Sequence, residues 1–77
     1  MNDRLEKKLK DLPKSPGVYF HKDVTGQIIY VGKAAVLRNR VRQYFQNSRN
    51  RDPKTELLVA EIEDTDWQVV DSEFEAL

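Results

Sequence analysis

A chain of 77 residues with a formal net charge of zero and no cysteine has room for one small domain, and for neither disulfides nor thiolate metal sites. Such a domain buries only about 60% of the surface its unfolded chain exposes, so its core must be compact. No apolar run approaches the roughly 18 residues of a membrane span, and Met1-Asn2-Asp3-Arg4 lacks the apolar core of a signal peptide; a cytoplasmic protein with no membrane partner is expected.

In chain order, Leu5, Leu9 and Leu12 recur at helical spacing over residues 3–12, and Pro13 stops that helix. Pro13-Lys14-Ser15-Pro16-Gly17 is a turn-rich joint. Residues 17–22 read as a strand in which Val18 and Phe20 alternate with Tyr19 and His21. A second strand covers 27–32, and Asp23-Val24-Thr25-Gly26 between them signals a hairpin. A regular hairpin around that loop sets Phe20 opposite Ile29, Val18 opposite Val31, and Tyr19 directly across from Tyr30. Gly32 is expected to break the second strand.

A helix over 36–45 then carries Leu37, Val41, Tyr44 and Phe45 as its apolar stripe, with Arg40 beside Tyr44 at one edge. Residues 46–52 form a polar loop. Asp52 and Pro53 read as the cap and first position of another helix, reaching about residue 63, with Leu57, Leu58 and Ile62 on its buried side. Trp67-Gln68-Val69-Val70 is a third short strand. Ser72 and Glu75 fit a capping box that announces one more helix close to Leu77. The expected architecture is α+β, a small three-stranded antiparallel sheet flanked by helices, the last of them truncated.

A net charge of zero by itself argues against a nucleic-acid binder. The distribution is uneven, however. Lys33, Arg38, Arg40, Arg42, Arg49 and Arg51 follow one another without an acid, whereas beyond Arg51 nine acids face the single base Lys54. A focused basic stretch attracts phosphates even on a neutral molecule, because charges are screened beyond about 8–10 Å. Arg38 and Arg42 are candidates to touch backbone phosphates without reading bases, should the partner be a nucleic acid.

Several features converge on one chemistry. Tyr19 and Tyr30 share a face of the hairpin, Gly32 and Lys33 close its second strand, and Arg40 and Tyr44 project from the next helix. Glycine permits close approach of a substrate backbone, lysine brings a point charge, and arginine grips a phosphate with two hydrogen bonds. That set suits a phosphodiester, whose cleavage depends on positioning and charge stabilisation. Each member also has a plain structural explanation: tyrosines pack in pairs on sheets, a glycine bends a strand, an arginine solubilises a helix. His21, a single histidine on the tyrosine face, makes no metal site and reads as a rim residue.

Gly17-Val18-Tyr19 followed by Ile29-Tyr30-Val31-Gly32-Lys33 resembles the paired motif of the GIY-YIG nucleases. The segment Leu37-Arg38-Asn39-Arg40-Val41-Arg42-Gln43-Tyr44-Phe45 resembles that family's next helix. Pro16-Gly17-Val18-Tyr19, Gly32-Lys33-Ala34 and Asp71-Ser72-Glu73-Phe74-Glu75-Ala76-Leu77 are most similar to its UvrC-type members, bacterial excision-repair nucleases. The resemblance spans nearly the whole chain. It implies a metal-dependent endonuclease that nicks DNA on the 3′ side of a lesion, working with UvrB- and UvrA-type proteins.

It also implies roles. Tyr19 helps activate the attacking water, Tyr30 and Lys33 bound and polarise the pocket, Arg40 stabilises the phosphate, and Tyr44 is a further active-site tyrosine. A proton that leaves Tyr19 readily would require positive charge nearby, from Lys33 and the metal. The metal, Mg2+ or Mn2+, is held in the family by a glutamate expected just beyond Leu77. Glu73 and Glu75 do not match it, so the chain is expected to bind metal poorly and cut little. The alternatives are another GIY-YIG nuclease, or a non-catalytic DNA-binding or docking module of the same fold.

Overall fold

A computed structural model describes residues 2–46 and 51–71. Helix α1, Asp3–Asp11, starts at Asn2, whose side chain accepts a hydrogen bond from the Leu5 N–H at 2.7 Å. Leu5 and Leu12 are buried and Leu9 packs against the core, so the predicted spacing does face inward. Three strands follow the expected order of elements: β1 (Gly17–Lys22), β2 (Ile28–Ala34) and, last in the described chain, β3 (Asp64–Val69). Between β2 and β3 lie helices α2 (Leu37–Gln43) and α3 (Pro53–Glu61).

The sheet is antiparallel throughout, in the order β2-β1-β3, so the tyrosine-bearing β1 is its central strand. Along β1 the buried residues are Gly17, Tyr19 and His21, while Val18, Phe20 and Lys22 are half-buried. Helix packing therefore falls on the polar aromatic side of the strand. The core gathers Leu12, Tyr19, Ala34, Leu37 and Val41, with Leu9, Tyr44, Phe45 and Trp67 packed around them.

The hairpin register differs from the expected one by two residues. Tyr19 pairs with Gly32, Phe20 with Val31, Val18 with Lys33 and His21 with Tyr30. Two displacements of one residue each produce this. The connection is a three-residue loop, Val24 to Gly26, closed by the Asp23 N–H on the Gln27 carbonyl at 3.0 Å, with Gly26 at φ 86°. A β-bulge then leaves Ile29 unpaired, since Lys22 faces Ile28 and His21 faces Tyr30. One slip alone would have turned Tyr30 to the opposite face; two return it to the side of Tyr19.

Two strand boundaries and the burial of one helix also differ. Gly32 does not break β2, which continues to Ala34. Strand β3 begins three residues before Trp67, because Lys8 and Lys22 neutralise Asp64 and Asp66 at the start of that strand at 2.7–3.0 Å. Helix α3 is capped as expected, with the Asp52 carboxylate accepting from the Thr55 N–H at 2.7 Å, yet it has no buried residue. Leu57 is 72% exposed, and only Ile62, just past the helix end, is buried. The predicted Ser72–Glu75 cap lies outside the described residues.

Helix α2 is fastened from below. Its first N–H groups donate to the carbonyls of Ser15 and Pro13. The Nε atoms of Arg38 and Arg42 donate to the carbonyls of Leu12 and Leu9 at 2.8 and 3.0 Å. These four bonds set the helix that carries Arg40 and Tyr44 against the sheet.

Candidate active site

The residues singled out for phosphate chemistry meet. A hollow of ≈ 450 Å³ is lined by Tyr19, Tyr30, Gly32, Lys33, Arg40 and Tyr44, together with Val18 and Val31. Strands β1 and β2 bring the first four, and the last turn of α2 and its cap bring Arg40 and Tyr44. Three phenol rings cluster within it, their centroids 5.8 to 6.2 Å apart. The hydroxyls of Tyr19 and Tyr44 lie 2.8 Å apart, in hydrogen-bond contact.

Tyr19 enters this hollow from within the core, being 2% exposed. Gly32 makes that possible. A Cβ at Gly32 would lie 2.3 Å from both the Tyr19 Cζ and its hydroxyl oxygen, so the ring lies flush over the glycine backbone. The glycine's close approach thus serves a neighbouring side chain of the same sheet. Tyr30, 41% exposed, stands at the open side.

Burial also decides the acidity of Tyr19 and Tyr44. Desolvation pushes the Tyr19 hydroxyl above its ordinary value, outweighing the Tyr44 hydrogen bond and the charge of Arg40, which both act to lower it. Tyr44 is pushed up further, by desolvation and by its hydrogen bond to Tyr19. Of the described cations, Arg40 is the one whose charge acts to lower the Tyr19 pKa.

His21 is not a rim residue. It is fully buried beneath the phenols, 4.6 Å from Tyr44 between ring centroids and 5.3 Å from Tyr19. Its Nδ1 contacts the Thr65 hydroxyl at 2.9 Å, while Nε2 has no hydrogen-bond partner among the described residues. Burial lowers its pKa to about 4, so the imidazole is neutral near pH 7. Thr65, fully buried at the start of β3, is the site-supporting residue that sequence reasoning missed. Its signal was only a β-branched residue between two aspartates.

Arg38 and Arg42, expected on backbone phosphates, line no part of the hollow, and their Nε atoms hold the carbonyls of Leu12 and Leu9. No aspartate or glutamate lines it either, and no group of three or more His, Cys, Asp or Glu side chains stands together among the described residues.

A hairpin presenting Gly17-Val18-Tyr19 and Tyr30-Val31-Gly32 to a helix-borne arginine and tyrosine is the arrangement of a GIY-YIG domain. A family model described as a UvrC-like GIY-YIG domain matches residues 15–77, and the chain belongs to that family. It is 58% identical over 73 residues to UvrABC system protein C of Caldanaerobacter subterraneus subsp. tengcongensis, a match covering 95% of this chain and 12% of that protein. Against UvrABC system protein C of Streptococcus agalactiae it is 58% identical over all 77 residues, 13% of that protein. The chain thus spans about an eighth of the length of these curated relatives.

Among solved structures it is similar to the GIY-YIG N-terminal endonuclease domain of UvrC from Thermotoga maritima bound to its catalytic magnesium. The TM-score is 0.80 and the identity 36%, over 99% of this chain and 81% of that one. None of the described helices is long and apolar enough to cross a membrane.

Proposed function

We propose that the chain is the DNA-cutting domain of an excision-repair nuclease, hydrolysing a phosphodiester on the 3′ side of a lesion with a divalent metal, Mg2+ or Mn2+. It would work with UvrB- and UvrA-type proteins, as the names of its UvrABC relatives suggest, and in the cytoplasm, where such a protein would meet bacterial DNA. One observation carries the reading: two exposed cations, Lys33 and Arg40, and three phenols open onto a single hollow.

In that reading Arg40 grips two phosphate oxygens and Lys33 adds a point charge, which together offset the charge gathering on phosphorus. The Tyr19–Tyr44 hydroxyl pair, its protons held firmly by burial, orients a water or a phosphate oxygen by hydrogen bonding. Magnesium takes oxygen ligands, commonly including one or two carboxylates. The described lining residues have none, so they do not by themselves form the metal's site. That carboxylate-free lining favours a second reading, a DNA-holding module of the same fold without catalysis.

Nicking of supercoiled DNA in magnesium separates the two. It would be measured for the 77-residue chain and for a version lengthened at its C-terminus to match the whole Thermotoga domain. The lengthened protein is expected to nick, and the chain itself to nick little. Arg40→Ala in the lengthened protein should cost on the order of 100-fold in rate with the fold intact. Undiminished nicking by that variant would refute the role of Arg40. DNA binding without nicking by the lengthened protein would select the second reading.

A further inference from the structure

Tyr30 and Tyr44 do not end the hollow they line. They also wall a second one, of ≈ 350 Å³, on the side of α3, where the other lining residues are Ile29, Lys54, Thr55 and Leu58. The two hollows are therefore neighbours across a pair of phenols. Their chemistry differs. The first is dominated by cations and hydroxyls, the second by two aromatic rings and two aliphatic side chains with a single ammonium group at its rim.

Several cations of the described chain are engaged by other groups. Lys8 and Lys22 are paired with Asp64 and Asp66, and Arg51 with Glu56. Arg38 and Arg42 donate to α1 carbonyls. Lys33, Arg40 and Lys54, the three that line the adjoining hollows, form no ion pair among the described residues, and neither do Lys7, Lys10 and Lys14 elsewhere on the surface; it is their place on the two hollows that sets the first three apart. The carboxylate nearest in influence to Lys54 is Asp52, whose oxygen is engaged by the Thr55 N–H at the helix cap.

We propose that the second hollow is a subsite for the nucleotide adjoining the phosphodiester held by the first. Its sugar and base would lie against Tyr30, Tyr44, Ile29 and Leu58, and its phosphate on the Lys54 ammonium. A base needs an aromatic or apolar wall and tolerates any sequence there, while a flanking phosphate needs one mobile cation. The strand would thus run from Lys33 and Arg40 across the two phenols to α3. This rests on the reading that the first hollow holds a DNA phosphodiester.

Salt-dependent binding tests it with the chain as it stands and no cleavage step. The probe is a short fluorescein-labelled DNA duplex, titrated at several salt concentrations. Each phosphate contact contributes about 0.9 to the slope of log K against log salt. Lys54→Ala should flatten that slope by about one contact, shrinking the affinity lost between about 50 and 200 mM salt by roughly 3.5-fold. Lys54→Arg should restore it. Lys7→Ala, at an exposed cation lining neither hollow, should leave it unchanged.

If Lys33→Ala flattens the slope while Lys54→Ala leaves it unaltered, the subsite is wrong and the first hollow stands. If the unchanged chain binds no duplex, both readings fall together.

Discussion

His21 lies at the bottom of a polar aromatic cluster, and its position turns an ordinary side chain into a pH-dependent element of stability. The folded-state pKa is about 4, against 6.5 for an unperturbed imidazole. As pH falls below 6.5 the unfolded chain takes up a proton that the folded chain refuses. Stability fully present above pH 6.5 is therefore lost as pH drops toward 4, by about 3 kcal/mol over that window. Tyr19, Tyr30, Tyr44, Phe45 and Thr65 face the ring, and none of them changes charge there. His21→Phe should thus reduce the difference in urea midpoint between pH 7 and pH 4.5, and an unchanged difference would refute the buried-neutral account. The paired motif made Tyr19, Tyr30, Gly32 and Lys33 legible in the sequence. The depth of His21 was not, because alternation gives a side chain's face and not what covers it. Nor was the burial of Tyr19, which is covered by elements distant in the chain.

The faces of the hairpin were easier to read than its register. Period-two alternation places Tyr19 and Tyr30 on one side under any even displacement, so that inference survived a pairing different from the expected one. The pairing itself was set by the positive φ of Gly26 and the bulge at Ile29, neither of which the apolar pattern encodes. In β3, Asp64 and Asp66 hid the strand's first half, since their partners Lys8 and Lys22 come from α1 and β1. Helix α3 shows the opposite failure, with good capping chemistry and a leucine that no core receives. Leu57→Ala should change stability by no more than about 0.5 kcal/mol. Leu37→Ala, in a fully buried α2 position, should cost about 2–5 kcal/mol. Chemical denaturation of both variants checks the contrast, and a comparable loss at Leu57 would contradict the exposed face of α3.

Across the whole molecule, the run of basic residues from Lys33 to Arg51 serves two ends that sequence alone does not separate. Lys33 and Arg40 open on the hollow, while Arg38 and Arg42 reach the carbonyls at the end of α1. All lie within one short stretch, and helical phase decides which way each arginine of α2 points. The family match begins at residue 15, so α1 falls outside it although Leu5 and Leu12 belong to the buried interior. A protein trimmed to residues 15–77 would forfeit the two guanidinium clasps and uncap the interior beneath α2. Amide exchange in α2 should then accelerate, and the guanidinium of Arg40 should no longer keep a fixed bearing toward Tyr44. The leading helix, outside the span of the family model, is mechanically the foundation under Arg40 and Tyr44.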